Sequence, residues 1–254
     1  MFTYLENLKW VFLFTPFLSL PVIADNFNYN SYNNHGSVGL VNMPTARMFD
    51  EGVIGITIYD GTPDQKITIT SSPYNWLEAS FFYTNIQGKP YPGFEFQDYK
   101  DKGFNFKIKL KEEGKLPAIA VGINDIAGTG YYSSEFVVAS YGIDNLDIHF
   151  GLGYGTLNGS DKSFKNPLSY LYDSFSNRPT GFEDAGGQFQ PSRYFSGKDV
   201  SPFYGISYAF NEKFLLKFEH DSTKTDGLIE YDIPGNRESI AVEYKFNKNF
   251  TIGL

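Results

Sequence analysis

The sequence predicts an all-β fold: an antiparallel transmembrane β-barrel of which about 10–11 strands are present, with one short helix in a long loop. Three observations predict it. From Gly52 onwards apolar and polar residues alternate with period two, the period of a strand with two unlike faces. The connectors between these segments alternate between short and long, as they do when turns lie on one side of a membrane and loops on the other. The composition is rich in Gly (25), Phe (25) and Tyr (19), with a mean hydropathy of −0.30. Alternate-faced membrane strands have such a composition, and a bundle of apolar helices does not.

Residues 1–24 read as an export signal. Lys9 precedes the apolar run Trp10–Leu20, and Pro21-Val22-Ile23-Ala24 places small or branched side chains before a cleavage point at Asp25. The run is too short to cross a bilayer as a helix. Residues 25–50 are expected to form a periplasmic or lumenal lead-in. The exported chain starts in the periplasm, so its first crossing strand must run outwards. Counting Val38–Asn42 as a crossing would put every long loop on the periplasmic side.

Residues 51–254 form the barrel part. Strands are expected at 52–59, 66–72, 76–84, 103–111, 117–124, 133–142, 146–155, 201–210, 213–220 and 237–246, with another beginning at 249–254. Phe104, Phe106, Ile108 and Leu110 alternate with Asn105, Lys107, Lys109 and Lys111. Ile240, Val242, Tyr244 and Phe246 oppose Ala241, Glu243 and Lys245, and Phe214, Leu216 and Phe218 oppose Leu215, Lys217 and Glu219. Leu146, Ile148 and Phe150 oppose Asp147, His149 and Gly151. The short connectors are 71–75, 112–116, 143–145, 211–212 and 247–248; the long ones are 85–102, 125–132, 156–200 and 221–236. A soluble sandwich has no reason to keep that parity. Within 156–200, Asn166-Pro167 reads as a cap and first helical residue, and Leu168, Leu171, Tyr172 and Phe175 fall at helical spacing. The alternation that begins at Asn249 breaks off at Leu254, so the chain is expected to be the N-terminal part of a longer protein.

The chemistry is narrow. There is no cysteine, which removes thiol nucleophiles, thiolate metal sites and disulfides. A net charge of −8 leaves no basic stripe, so nucleic acid is not an expected partner. His35, His149 and His220 share no ligand spacing, so no metal is expected, and no cofactor fingerprint, nucleophile elbow or carboxylate dyad is present. The expectation is therefore a protein that is not an enzyme. What remains is the inward face. Asn105, Lys107, Lys109, Asp147, His149, Lys217, Glu219, Glu243 and Lys245 point there as candidate substrate contacts, together with Glu78 and Lys111. Mixed charge beside Tyr131, Tyr132 and Tyr194 suits hydrogen bonding and stacking against sugars; the same charges also suit pairing with one another.

Several long words in the chain are similar to one known family. Asn34–Met48 (NHGSVGLVNMPTARM), Tyr59–Ile86, Gly122–Ile143 and Gly187–Gly197 resemble the YjbH family. The resemblance implies an outer-membrane β-barrel linked to exopolysaccharide and capsule production, in a chain longer than this one. It implies a polysaccharide partner, outer-membrane lipids and export-machinery proteins, and it transfers no active-site residue. Family members are described as lipoproteins, and these 254 residues hold no cysteine to carry the lipid. The expected role is non-enzymatic assistance to polysaccharide biosynthesis, export or surface assembly. A porin for small solutes and a scaffold barrel for secretion partners are the alternatives.

Overall fold

A computed structural model describes residues 29–62, 64–91, 93–179, 187, 189–224 and 237–254. The expected signal segment, residues 1–24, lies outside the described residues. The chain is all-β, and it forms one antiparallel sheet of twelve strands with almost no helix. The strands are β1 Ile54–Asp60, β2 Asp64–Tyr74, β3 Leu77–Tyr91, β4 Phe94–Lys111, β5 Ala118–Ile126 and β6 Ser134–Ile143. They continue as β7 Leu146–Gly155, β8 Phe164–Lys165, β9 Asp199–Ala209, β10 Phe214–His220, β11 Glu238–Asn247 and β12 Phe250–Gly253. Each pairs with its neighbour in sequence, except that β7 pairs with β9 and the two-residue β8 attaches to β9 beside it. β1 and β12 are free edges, so the sheet is open.

The sheet is curled. Val38 donates its N–H to Glu78 on β3, while Val41, three residues later, donates to Glu219 on β10. β3 and β10 are separated by β4, β5, β6, β7 and β9, which in a flat sheet sets them roughly 29 Å apart at about 4.8 Å per strand. Three residues of extended chain span only about 10 Å. Only a sheet wrapped around residues 29–50 lets one short segment reach both strands. Leu40, Met43 and Ala46 of this segment complete the main apolar cluster with Ala118, Ala120, Phe136, Val138, Leu157 and Phe203 from the inner face.

Two sequence expectations need correction. Residues 85–102 are not a loop. β3 and β4 run on through them, with Asn85 opposite Lys100 and Ile86 opposite Tyr99, and turn only between Tyr91 and Phe94. Gly88 and Pro90 look like breakers, but a register shift between Ile86 and Pro90 absorbs them, Gly88 taking a φ of 72°. Burial of Ile86 and Tyr99 against Tyr131 and Tyr132 holds this extension together. The expected short helix is instead a pair of single 3-10 turns, Pro167–Tyr170 and Asp173–Ser176. Asn166 does cap the first turn, its side chain accepting from the Leu168 N–H at 3.0 Å. Its amide also donates to the carbonyls of Phe175, Phe195 and Gly197. The chain is extended at Tyr172, and Leu171 and Tyr172 are 68% and 69% exposed, so the helical spacing buries no stripe.

The expected alternation of short and long connectors fails at β3–β4, where only residues 92–93 join the strands. The β3–β4 extension, the β5–β6 turn and the described residues of the 156–198 insertion and of the β10–β11 connection gather at one end, where Tyr99 packs on Tyr131 and Arg237 reaches the Gly159 carbonyl. The insertion is tied to the sheet by Arg178, which meets Glu135 on β6 through two bonds of 2.7 and 2.9 Å.

Candidate functional site

The candidate site is the surface where residues 29–50 meet the inner face of the sheet. The segment folds into two tight loops, closed by bridges between Tyr32 and Val38 and between Gly39 and Pro44. Asn33 organises the first: its Oδ1 accepts from the N–H groups of His35 and Ser37, and its Nδ2 donates to the Asn42 carbonyl. Gly36 sits at a φ of 81°, and a β-carbon there would lie 2.4 Å from the Thr68 side chain, so both backbone and wall require glycine.

Period two on the surrounding strands brings polar side chains to the backbone groups of this segment. Glu78 accepts the Val38 N–H at 3.2 Å, Lys107 donates to the Val38 carbonyl at 2.9 Å, and the two side chains pair at 3.1 Å. One wall ion pair thus holds both backbone groups of one residue. Across the segment, Lys217 pairs with Glu243 at 2.5 Å and donates to the carbonyls of Leu40 (2.8 Å) and Tyr32 (3.3 Å). Glu219 accepts from three successive N–H groups, Val41, Asn42 and Met43, at 2.9, 2.9 and 3.1 Å. On β6 the Ser140 hydroxyl accepts the Ala46 N–H at 2.9 Å and lies 2.8 Å from His149 Nδ1.

At the short-turn end Arg47 makes paired contacts with Asp147 and a third with Glu113. Burial alone lowers the Arg47 pKa, but the two carboxylates outweigh it and hold the guanidinium above its ordinary value. A cavity of about 310 Å³ opens beside it, lined by Tyr29, Glu113, Asp144 and Asp147 among others. At the loop end His35 approaches Lys66, 3.0 Å from its Nδ1 to the ammonium. Lys66 is in turn 3.1 Å from Asp64 and 4.0 Å from the Tyr132 ring centre, and the Tyr132 hydroxyl donates to Asp64 at 2.6 Å. Burial, then Lys66, pulls the His35 pKa down to about 4, against the opposing pull of Asp64 and Asp221.

The candidate contacts read from the sequence therefore divide. Lys107, Asp147, His149, Lys217, Glu219 and Glu243 converge on residues 32–47, directly or through one partner. Asn105 stands apart, donating to Ser80 and accepting the Asp125 N–H. Lys109 pairs with Glu112 at the β4–β5 turn, and Lys245 lies 5.2 Å from the ring centre of Tyr29. Sequence reading did not single out Lys66, Thr68 and Thr70, although period two along β2 puts all three inward. Thr68 and Thr70 donate to the carbonyls of His35 and Gly36. Arg47 carried no pattern, because its partners lie 66 and 100 residues away. The arrangement holds backbone: it offers buried charges to the peptide groups of the inner segment.

The family described as exopolysaccharide biosynthesis protein YbjH matches residues 31–248. An Escherichia coli K12 protein described as the uncharacterized lipoprotein YjbH is 34% identical over 223 residues, covering 85% of this chain and 30% of its own length. No solved structure matches. The chain thus spans less than a third of that relative. The matched residues begin inside the inner segment and run through β11, so the segment and the sheet that grips it are matched as one unit: the chain belongs to the YjbH family of exopolysaccharide biosynthesis proteins.

Proposed function

We propose that this protein is part of an outer-membrane β-barrel wall that assists exopolysaccharide or capsule biosynthesis, export or surface assembly without catalysing a reaction, and that residues 29–50 are its internal plug. The observation that carries the membrane reading is the inverted burial of the sheet. Ile58 is 78% and Ile240 67% exposed, while Lys217 is 1% and Glu219 0% exposed. A soluble sheet arranges these residues the other way round. The outward apolar side chains extend from β1 across to β12, far beyond the few hundred Å² that soluble monomers expose. Outward aromatics collect at the short-turn end, where Tyr74 stacks on Trp76 and Tyr244 meets Phe246, as in an interfacial girdle. No described helix is long and apolar enough to cross a membrane, which bears only on helices.

The polysaccharide part rests on the family. The plug favours a gated wall over a standing open pore, because it occupies the charges that would line a channel. In this reading the polymer, and any export protein guiding it, meets Lys107, Lys217 and Glu219 only where the plug has withdrawn. A disulfide between Ala46→Cys and Ser140→Cys tests this in a chain with no other cysteine. Deleting the gene in a polymer-producing host is expected to lower surface polysaccharide. The wild-type gene restores it, and the locked variant restores it only after reduction. Full restoration by the oxidised variant contradicts the gate, and unchanged polymer on deletion contradicts the role itself.

A further inference from the structure

At the loop end, two carboxylates lie beside the plug without touching it. Asp101, on the outer part of β4, is 2% exposed, and Asp125, near the end of β5, is 6% exposed. Each uses one oxygen. Asp101 Oδ1 accepts from the N–H groups of Lys102 (2.7 Å) and Thr129 (3.4 Å), and Asp125 Oδ2 accepts from the Tyr132 N–H at 3.0 Å. The others, Asp101 Oδ2 and Asp125 Oδ1, are buried with no hydrogen-bond partner, and so is the Thr129 hydroxyl of the same turn. Two glycines make room for Asp125 Oδ1. A β-carbon on Gly103 would lie 2.5 Å from it and one on Gly128 only 1.8 Å, with the Lys102 carbonyl 2.7 Å from that second position. Asp125 Oδ1 and the Lys102 carbonyl thus approach one position over Gly128, and the Thr129 N–H ties Asp101 to the same turn. The nearby ammonium of Lys66 is committed to Asp64 and His35.

Buried carboxylate oxygens left short of donors are costly unless a positive charge lies beside them. We propose that Asp101 Oδ2, Asp125 Oδ1, the Thr129 hydroxyl and the Lys102 carbonyl bind a hard divalent cation, calcium foremost. Every candidate ligand is an oxygen, which disfavours zinc and other metals that prefer nitrogen or sulfur. Two carboxylates match a double charge, and calcium accepts carbonyl, hydroxyl and water oxygens in an irregular shell, whereas magnesium demands a strict octahedron. Asn105, which accepts the Asp125 N–H, is a positioning residue for the site. The cation fastens the β5–β6 turn to β4. Because that turn carries Tyr132, which holds Asp64 against Lys66 and His35, the cation also steadies the loop-end anchor of the plug.

The test uses the full chain folded in detergent micelles and stripped with a chelator. Equilibrium dialysis against calcium chloride is expected to show one ion per chain with a Kd of roughly 0.1–1 mM, the range of extracellular calcium modules. The thermal midpoint is expected to rise with calcium and much less with magnesium. Asp101→Asn with Asp125→Asn is expected to weaken binding at least about tenfold, and Glu112→Gln, at the opposite end, leaves it unchanged. If the double variant does not fold, Thr129→Val gives the milder test, a loss of a few fold. Folded wild-type protein that takes up no calcium at millimolar concentration overturns the proposal in favour of a proton shared by the two carboxylates. Binding that survives all three substitutions overturns it by placing the ion elsewhere.

Discussion

Arg47 and Asp147 meet as a fork on a fork: Nε lies 2.7 Å from Oδ2 and Nη2 lies 2.6 Å from Oδ1, across 100 residues of sequence. Paired geometry of this kind fixes direction as well as distance. It sets where the inner segment leaves the sheet, just before β1 begins. Glu113 reaches the same guanidinium and the Gly142 N–H, so one arginine ties the β4–β5 and β6–β7 turns together at the short-turn end.

Arg47→Met is expected to lower stability by about 1–3 kcal/mol, since it leaves two partly buried carboxylates facing each other without their cation. Arg47→Lys keeps the charge, loses the fork and falls between the two. Chemical unfolding in detergent, followed by tryptophan fluorescence, measures both. Equal stability of Arg47→Met and wild type would show that the ion pair does not hold the segment.

Glu219 presents the opposite case, a carboxylate whose partners are all peptide N–H groups. Glu219→Gln keeps the shape but offers only one acceptor oxygen for three donors, at an expected cost of about 1–3 kcal/mol. Glu219→Ala also opens a cavity and costs more. Hydrogen exchange at Val41, Asn42 and Met43 checks the cause directly. Their amides are expected to lose protection in Glu219→Gln while amides in β10 keep theirs.

The plug's attachment is expected to depend on acid. Docked, His35 has its pKa pulled down to about 4; released into water it titrates near its ordinary value of about 6.5. Between those values the docked form binds fewer protons, so docking is fully favoured above the upper value and is lost as pH falls through the lower one. Protease cleavage within residues 29–50 is expected to be slow at pH 7.5 and faster near pH 4.5. In His35→Gln, which keeps an acceptor for Lys66, the rate is expected to change little with pH. A wild-type rate that is flat over this range would remove His35 from the anchor.

Much of this architecture was legible because period two survives every packing environment in a sheet. The run Leu146–Gly155 reads as one strand in sequence and is one strand in the structure, and the inward turn of Lys107, Lys217 and Glu219 follows from counting alone. What those side chains touch did not follow. The partners of Glu219 lie 176 to 178 residues away, and no local pattern encodes a contact of that range. Residues 85–102 misled for a related reason: Gly88, Pro90, Pro92 and Gly93 are local signals for a turn, and the burial of Ile86 and Tyr99 that overrides them is tertiary. The spacing of Leu168, Leu171 and Tyr172 misled in the other direction, since a helical stripe needs a surface to cover it and Leu171 and Tyr172 face outwards.

The central claim is that the outer face of the sheet meets lipid and the inner face meets the plug. Adjacent residues on β2 test it most directly: Ile69 is 48% exposed, while Thr70 is 1% exposed and donates to the Gly36 carbonyl. The chain has no cysteine, so Ile69→Cys and Thr70→Cys each take a single nitroxide label. In phospholipid bilayers, electron paramagnetic resonance is expected to find the label at 69 relaxed by oxygen and shielded from a water-soluble nickel chelate, and the label at 70 immobilised and shielded from both. A label at 69 relaxed by the nickel chelate as strongly as a loop position would contradict the account.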